Sequence, residues 1–290
     1  MTNSDTLDLQ AGNYFTPLEE MGVLQITGDD ASTFLQNLVT NNVNELEINQ
    51  AQRSGFCNAK GRLFAIFLLI RREDGFQLIL PRKMCDLLLQ RLSMYVLRSN
   101  VSISNESDHL SCIGLMTATP KSLNIIKHPN DTKRFLSICR HDSLEEHLAE
   151  FKQQGLSLVT ESLWEQLDIK AGLAMIWPES KEKFTPQQVS LDLVDGVSFS
   201  KGCYPGQEVV ARLHYLGKPS RRLFIAQAKT NLLPSVADEV ITDDGSTAGH
   251  VVSAQLVDES VMLLLSLKLT SSADSLSLKD DSSIRLMPSN

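Results

Sequence analysis

The apolar pattern of this chain changes once, near Arg221, and that change limits the folds open to it. Upstream, strand and helix periodicities alternate. Gly22 to Thr27 reads as a short strand. Behind it, Ala31, Phe34, Leu35, Leu38 and Val39 fall at helical spacing, with Asp29 or Asp30 as the cap. Gln52 to Cys57 and Arg62 to Ile70 read as strands joined by an Asn58–Gly61 turn, and Asp74-Gly75 leads into a further strand, Phe76 to Leu80. Met84 to Val96 gives a second amphipathic helix, and Val101 to Ser104 a strand. The order β-α-β-β-β-α-β predicts an α+β sheet with helices on one face. A weaker version follows, with strands at Ile113–Met116 and Phe135–Cys139 and helices at Ser143–Phe151 and Ser162–Ala171. Ser162 and Glu165 have capping-box spacing, and Gly172 suits a helix end. Beyond Arg221 the pattern holds short strands alone: Leu223–Ala228, Glu239–Thr242, Ala248–Ala254 and Val261–Leu267. That predicts a small antiparallel barrel or sandwich. The expected division is an α+β region over residues 1–220, in two interleaved subdomains, and a β-barrel over 221–290.

Composition removes several function classes. A formal net charge of −8 opposes nonspecific nucleic-acid binding. The polar start, Met1 to Gln10, lacks the features of a secretory signal, and the longest apolar run, Leu63 to Ile70, is too short for a bilayer. A cytoplasmic monomer without membrane contact is expected. The five cysteines (57, 85, 112, 139, 203) form no C-x-x-C pair, so a metal site of usual spacing is not expected and free thiols in a reducing compartment are. Neither G-x-x-x-x-G-K-[ST], G-x-G-x-x-G nor H-E-x-x-H occurs.

What remains is the octapeptide Lys201-Gly202-Cys203-Tyr204-Pro205-Gly206-Gln207-Glu208. It sets a thiol two residues from an ammonium and just before an expected helix, with Pro205 at its first position and Val209, Val210 and Leu213 on its apolar side. Helix N–H groups and a lysine both favour a thiolate, which makes Cys203 a reactive-thiol candidate with Lys201 as its activator. The plainer reading is a small packing residue. His214, the nearest histidine, reads more simply as a surface residue than as a catalytic base. Lys201, Arg212, Arg221 and Arg222 concentrate positive charge here, either as a solvated face or as a foothold for a carboxylate or an RNA phosphate. Trp164 and Trp177 are the only tryptophans, and either can be core or a stacking surface for a flat ligand.

The stretch from Val197 to Arg212 resembles the signature of the YgfZ family, K-G-C-Y-x-G-Q-E, at every fixed position, with Pro205 at the variable one. Cys57-Asn58-Ala59-Lys60-Gly61-Arg62 is similar to the family's C-D-A-K-G-[RK] turn, and Trp164 to Gly172 to its W-x-x-L-x-I-x-A-G segment. Tyr95 to Ser99, Phe184 to Gln187 and Asp195 to Phe199 also resemble family segments in order. Three departures stand out. Asn58 replaces an aspartate, Met94 a lysine, and Met21 a second tryptophan before the opening strand.

The resemblance implies an aminomethyltransferase-like (T-protein-like) multidomain fold with a C-terminal antiparallel β-barrel. It implies tetrahydrofolate or a folate derivative as cofactor, held by Trp164 and, at the altered position, Met21. It implies Cys203 and Lys201 as the functional pair, framed by Gly202, Tyr204, Gly206, Gln207, Glu208 and Arg212. It also implies an accessory role toward iron–sulfur proteins and their assembly factors, and through them tRNA modification, with tRNA contact indirect. The alternative is a tetrahydrofolate-dependent aminomethyltransferase.

Overall fold

A computed structural model of the chain describes residues 12–118, 125–271, 275–281 and 285–289. Met1 to Gln10, judged above for a secretory signal, lies outside the described residues. The first layer runs β1 (Tyr14–Pro17), β2 (Met21–Thr27), α1 (Ala31–Gln36), β3 (Ala51–Cys57), β4 (Leu63–Arg72), β5 (Gly75–Pro81), α2 (Arg82–Ser93) and β6 (Ser102–Asn105). Strands β3-β4-β5-β2-β6 form one sheet in that order, all pairs antiparallel. The expected β-α-β-β-β-α-β order is therefore present, with β1 the strand the pattern missed.

β1 belongs to the second sheet. There it lies beside β7 (Leu110–Met116), β8 (Ile125–Lys127), β9 (Arg134–Arg140) and, after α3 (Leu144–Gln153), the two-residue β10 (Ser157–Leu158), in the order β10-β1-β7-β9-β8. Helix α4 (Glu161–Lys170) follows, then a run of short 3-10 turns, and α5 (Gln207–Tyr215). The remaining strands are β11 (Arg221–Ala228), β12 (Glu239–Thr242), β13 (Thr247–Val257), β14 (Ser260–Lys268), β15 (Leu276–Leu278) and β16 (Arg285–Ser289). They close as a barrel in the order β11-β14-β13-β12-β15-β16, with β16 pairing back to β11.

β4 holds these parts together. Ala65, Phe67 and Leu69 face the core under α1 and α2, with Leu24, Phe34, Leu35, Met84 and Leu88. Leu68 and Ile70 face the second sheet, against Cys112, Leu136 and Trp164. Leu63 and Ile66 meet Val252, Met262 and Leu264 of the barrel, with Ile176 and Val189 between. A strand buried on both faces reads as an unbroken apolar run, as Leu63 to Ile70 does.

Local expectations failed where a tertiary partner claimed the residue. α1 ends at Gln36, although Leu38 and Val39 stay buried. The chain leaves the helix so that Val39 can bridge to Phe56. Asp30 is the N-cap of α1, as expected, but its side chain makes no capping bond, because its carboxylate accepts from the Asn100 N–H at 2.7 Å. Ser162 is inside α4 rather than at its cap, which is Thr160, and donates to Gln255 of the barrel. Gly172 does end α4, with φ +65°. Its N–H reaches the Ile169 carbonyl and that of Leu173 the Asp168 carbonyl, the paired bonds of a Schellman turn.

Pro205 does not open α5. The helix starts at Gln207 because Gly206 is its N-cap in the left-handed region, at φ +78°. A Cβ on Gly206 would lie 2.4 Å from the Asn58 carbonyl oxygen and 2.6 Å from Gly61 N and Cα. The octapeptide thus docks backbone to backbone on the Asn58–Gly61 turn. Gly206→Ala adds both left-handed strain and this clash. It is expected to lower unfolding free energy by at least about 2 kcal/mol, measured by urea denaturation.

Candidate functional site

Two separate places gather the residues singled out in sequence. The first is a pocket where both sheets, α4 and the barrel meet. Met21 and Ile79 of the first sheet, Arg53 of β3, His128, Leu136 of β9, Glu161, Trp164, Glu165 and Asp168 of α4, Met175, Trp177, and Ser253 of β13 all border it. Helical spacing sets 161, 164, 165 and 168 on one side of α4. The Glu161 carboxylate accepts the Glu19 N–H at 2.9 Å, which clamps the β1–β2 turn, and with it Leu18 and Met21, to the helix.

The pocket brings Trp164, Trp177 and Met21 together, though not as an open aromatic platform. Trp164 is buried, and the Arg134 guanidinium already covers ring surface 3.8 Å from the centroid. Gly114 of β7 packs on the indole as well. A Cβ there would meet three ring atoms at 2.6, 2.7 and 2.9 Å, near-equal distances that mean it sits over the ring and not at its edge. His128 meets the indole edge-on at 6.1 Å.

The sequence reading missed the polar half of this site. Arg53 and Arg134 are fully buried, and Arg134 Nη2 lies 2.7 Å from Asp168 Oδ1. Arg53 Nε donates to Asn130 Oδ1 at 3.2 Å and Nη1 to the Ala174 carbonyl at 3.1 Å. Burial, then the two arginines, hold the His128 pKa well below its ordinary value, so the imidazole is neutral. Burial, then the charges of Glu161 and Asp168, push the Glu165 carboxyl up from 4.5 to about 7, against the hydrogen bond it accepts from Gln255. The one sequence signal was Arg53, the single charge inside the expected strand Gln52 to Cys57.

The second place is the octapeptide, which does not border the pocket. Cys203 is exposed, whereas Cys57, Cys85, Cys112 and Cys139 are buried. Burial raises the pKa of all four, Cys57 and Cys112 to about 12. Lys201, expected to activate Cys203, spends its hydrogen bonds elsewhere. Its side chain turns inward, and Nζ donates to the carbonyls of Gln36, Val39 and Asn41 at 2.5, 2.6 and 3.2 Å. An ammonium has three N–H donors, and all three are used. Burial lowers its pKa from 10.5 to about 8. Lys201 therefore ties the signature loop to the segment after α1. Tyr204 is buried with its ring 5.3 Å from that ammonium. Gly202 and Glu208 are exposed, and Gln207 opens α5. His214 stacks on Phe199 at 3.6 Å. Of the expected basic cluster, Arg222 forms a two-pronged pair with Asp192 at 2.5 and 2.9 Å. With Lys201 buried too, the exposed Arg212 and the half-buried Arg221 remain.

A family model for the GCVT N-terminal domain matches residues 14–138. The tRNA-modifying protein YgfZ of Sodalis glossinidius is 30% identical, over 91% of this chain and 88% of its own length. The chain belongs to the YgfZ family. The YgfZ of Edwardsiella ictaluri is 29% identical over 93% of this chain and 89% of its own. The glycine cleavage system aminomethyltransferase T of Bartonella henselae superposes with a TM-score of 0.74, covering 96% of this chain and 85% of that one at 12% identity. This YgfZ-family chain therefore has the aminomethyltransferase-like α+β fold that the signature implied, ending in the closed barrel.

Two outcomes follow from the geometry. Lys201→Met leaves three carbonyls without donors and is expected to cost about 2–4 kcal/mol in urea denaturation. For Glu165, the unfolded chain releases its proton near 4.5 and the folded protein near 7. Between these the folded state binds more protons, so stability falls as pH rises through about 7. Thermal midpoints of wild type are expected to drop relative to Glu165→Gln from pH 5 to 8, and the pH dependence of that difference to flatten below about pH 4.5.

Proposed function

We propose that this protein binds a tetrahydrofolate derivative in the Met21–Trp164 pocket and supports tRNA modification as an accessory factor for iron–sulfur proteins, with Cys203 as its exchangeable thiol. The observation that carries the folate part is the pocket itself. It offers indole and thioether surface for a flat heterocycle beside an arginine that can donate to its oxygens. The void is about 50 Å³, room for a water or two. A bicyclic ring enters by displacing the half-buried Met175 and Trp177. Met21 packs on such a ring through its sulfur, more weakly than an indole.

The thiol part is supported by contrast among the cysteines. Four are packed in cores with raised pKa values, and the one in the signature faces solvent. Its distance from usual metal-site spacing fits transient exchange with a client better than permanent cluster ligation. The YgfZ relatives are tRNA-modifying proteins, which supports the tRNA link. The internal pairing of Arg222 and Lys201 favours an indirect link over a phosphate-binding face. The aminomethyltransferase alternative rests on a fold likeness at 12% identity, which carries no reaction.

Tetrahydrofolate is expected to quench indole fluorescence saturably in wild type, and Trp164→Phe to bind at least about tenfold more weakly. An absence of wild-type binding removes folate from the account. In a strain lacking its own family member, Cys203→Ser is expected not to restore growth or tRNA modification. Full rescue sinks the thiol mechanism and leaves the folate reading standing.

A further inference from the structure

Charge does not balance around the inner end of the pocket. Two fully buried guanidiniums, Arg53 and Arg134, share one carboxylate, Asp168, and His128 beside them is neutral. Hydrogen bonding is also incomplete. Among the described residues Arg53 Nη2 has no hydrogen-bond partner, nor do Nε and Nη1 of Arg134. The Arg134–Asp168 contact at 2.7 Å is close but not aligned as a hydrogen bond. Arg53 Nε and Nη1 are anchored on Asn130 and Ala174, which leaves Nη2 as the free arm of a side chain that borders the pocket. Burial pulls Arg53 down to about 10, with Asp168 opposing and Arg134 adding, so it stays charged at neutral pH.

An unpaired buried charge is costly, and proteins keep one where a ligand completes it. The two carboxylates on the other turn of α4, Glu161 and Glu165, do not remedy the deficit. Glu161 is spent on the Glu19 and Glu20 N–H groups, and Glu165 holds its proton to about 7 and faces Gln255. The missing partner is an acceptor carrying one negative charge. A carboxylate matches the local excess of one positive charge and can accept a charge-assisted hydrogen bond from the one free arm. A phosphate dianion would overshoot it and meet Asp168.

We propose that the inner end of this pocket is a carboxylate-binding subsite, in which Arg53 Nη2 donates to a carboxylate of the ligand and Arg134 supplies the second positive charge. The inference rests on the pocket being a ligand site, not on the ligand being a folate.

The test uses p-aminobenzoyl-glutamate, an aryl dicarboxylate without a pterin, and its diamide, titrated calorimetrically into the full chain. The diacid is expected to bind at least about tenfold more tightly than the diamide, the worth of one charge-assisted hydrogen bond. Arg53→Lys, which keeps a charge and loses the Nη2 donor, is expected to weaken the diacid about 10- to 100-fold and the diamide less. The acid-against-amide comparison on wild type stands without any variant, should Arg53→Lys fail to fold. Equal binding of diacid and diamide, no binding of the diacid, or wild-type affinity in a folded Arg53→Lys overturns the subsite. Tetrahydrofolate failing to bind while the diacid binds removes the folate reading and leaves the subsite. Tetrahydrofolate binding without the diacid does the reverse.

Discussion

Three hydrophobic cores of this molecule meet on β4. Its residues from Leu63 to Ile70 are buried on both faces, so the strand must be covered by helices on one side and by two further layers on the other. Each such side chain contributes about 1.5–3 kcal/mol on burial. No single layer supplies enough surface to cover both faces. The second sheet takes Leu68 and Ile70, and the barrel takes Leu63 and Ile66. The pocket is the place where those two covers meet without closing.

That arrangement separates the two functional elements. The pocket lies at the junction of the sheets and the barrel, whereas Cys203 sits on a loop fastened elsewhere. The fastening is the buried ammonium of Lys201 on three carbonyls, together with the contact of Gly206 on the Asn58–Gly61 turn. Within the signature, then, the lysine and the glycine position the loop, and the thiol is what the loop presents. Asn58 completes the platform. Its Oδ1 accepts from the N–H groups of Lys60 and Arg62, and its Nδ2 donates to Glu182, a bond an aspartate could not make.

Much of the element order was legible, because long apolar patterns of period 2 and 3.6 survive in the sequence. The first sheet and the first four barrel strands show this. The strands β1, β8, β10, β15 and β16 were not legible. They are two to five residues long, and β1, β10 and β16 owe pairing to neighbours far along the chain. Capping bonds failed for a similar reason. Asp30 and Ser162 have the right chemistry for a local bond, and each makes a bond to a distant residue instead. In the site, Trp164 and Met21 were found through the family pattern. Arg134 and Asp168 were not, because nothing in their local sequence marks a charge that will be buried.

By itself the sequence determined the class of fold with its C-terminal β-barrel, the family and the identity of the candidate thiol. These depend on periodicity and on a contiguous motif, which are local properties. The tertiary structure alone decided what the motif's lysine does, which surface of Trp164 is taken, and that two arginines share one aspartate. Those outcomes turn on which donors and acceptors end up within 3 Å of one another, between segments separated by up to 165 positions. Such distances are set by how the layers pack, and no local pattern carries them.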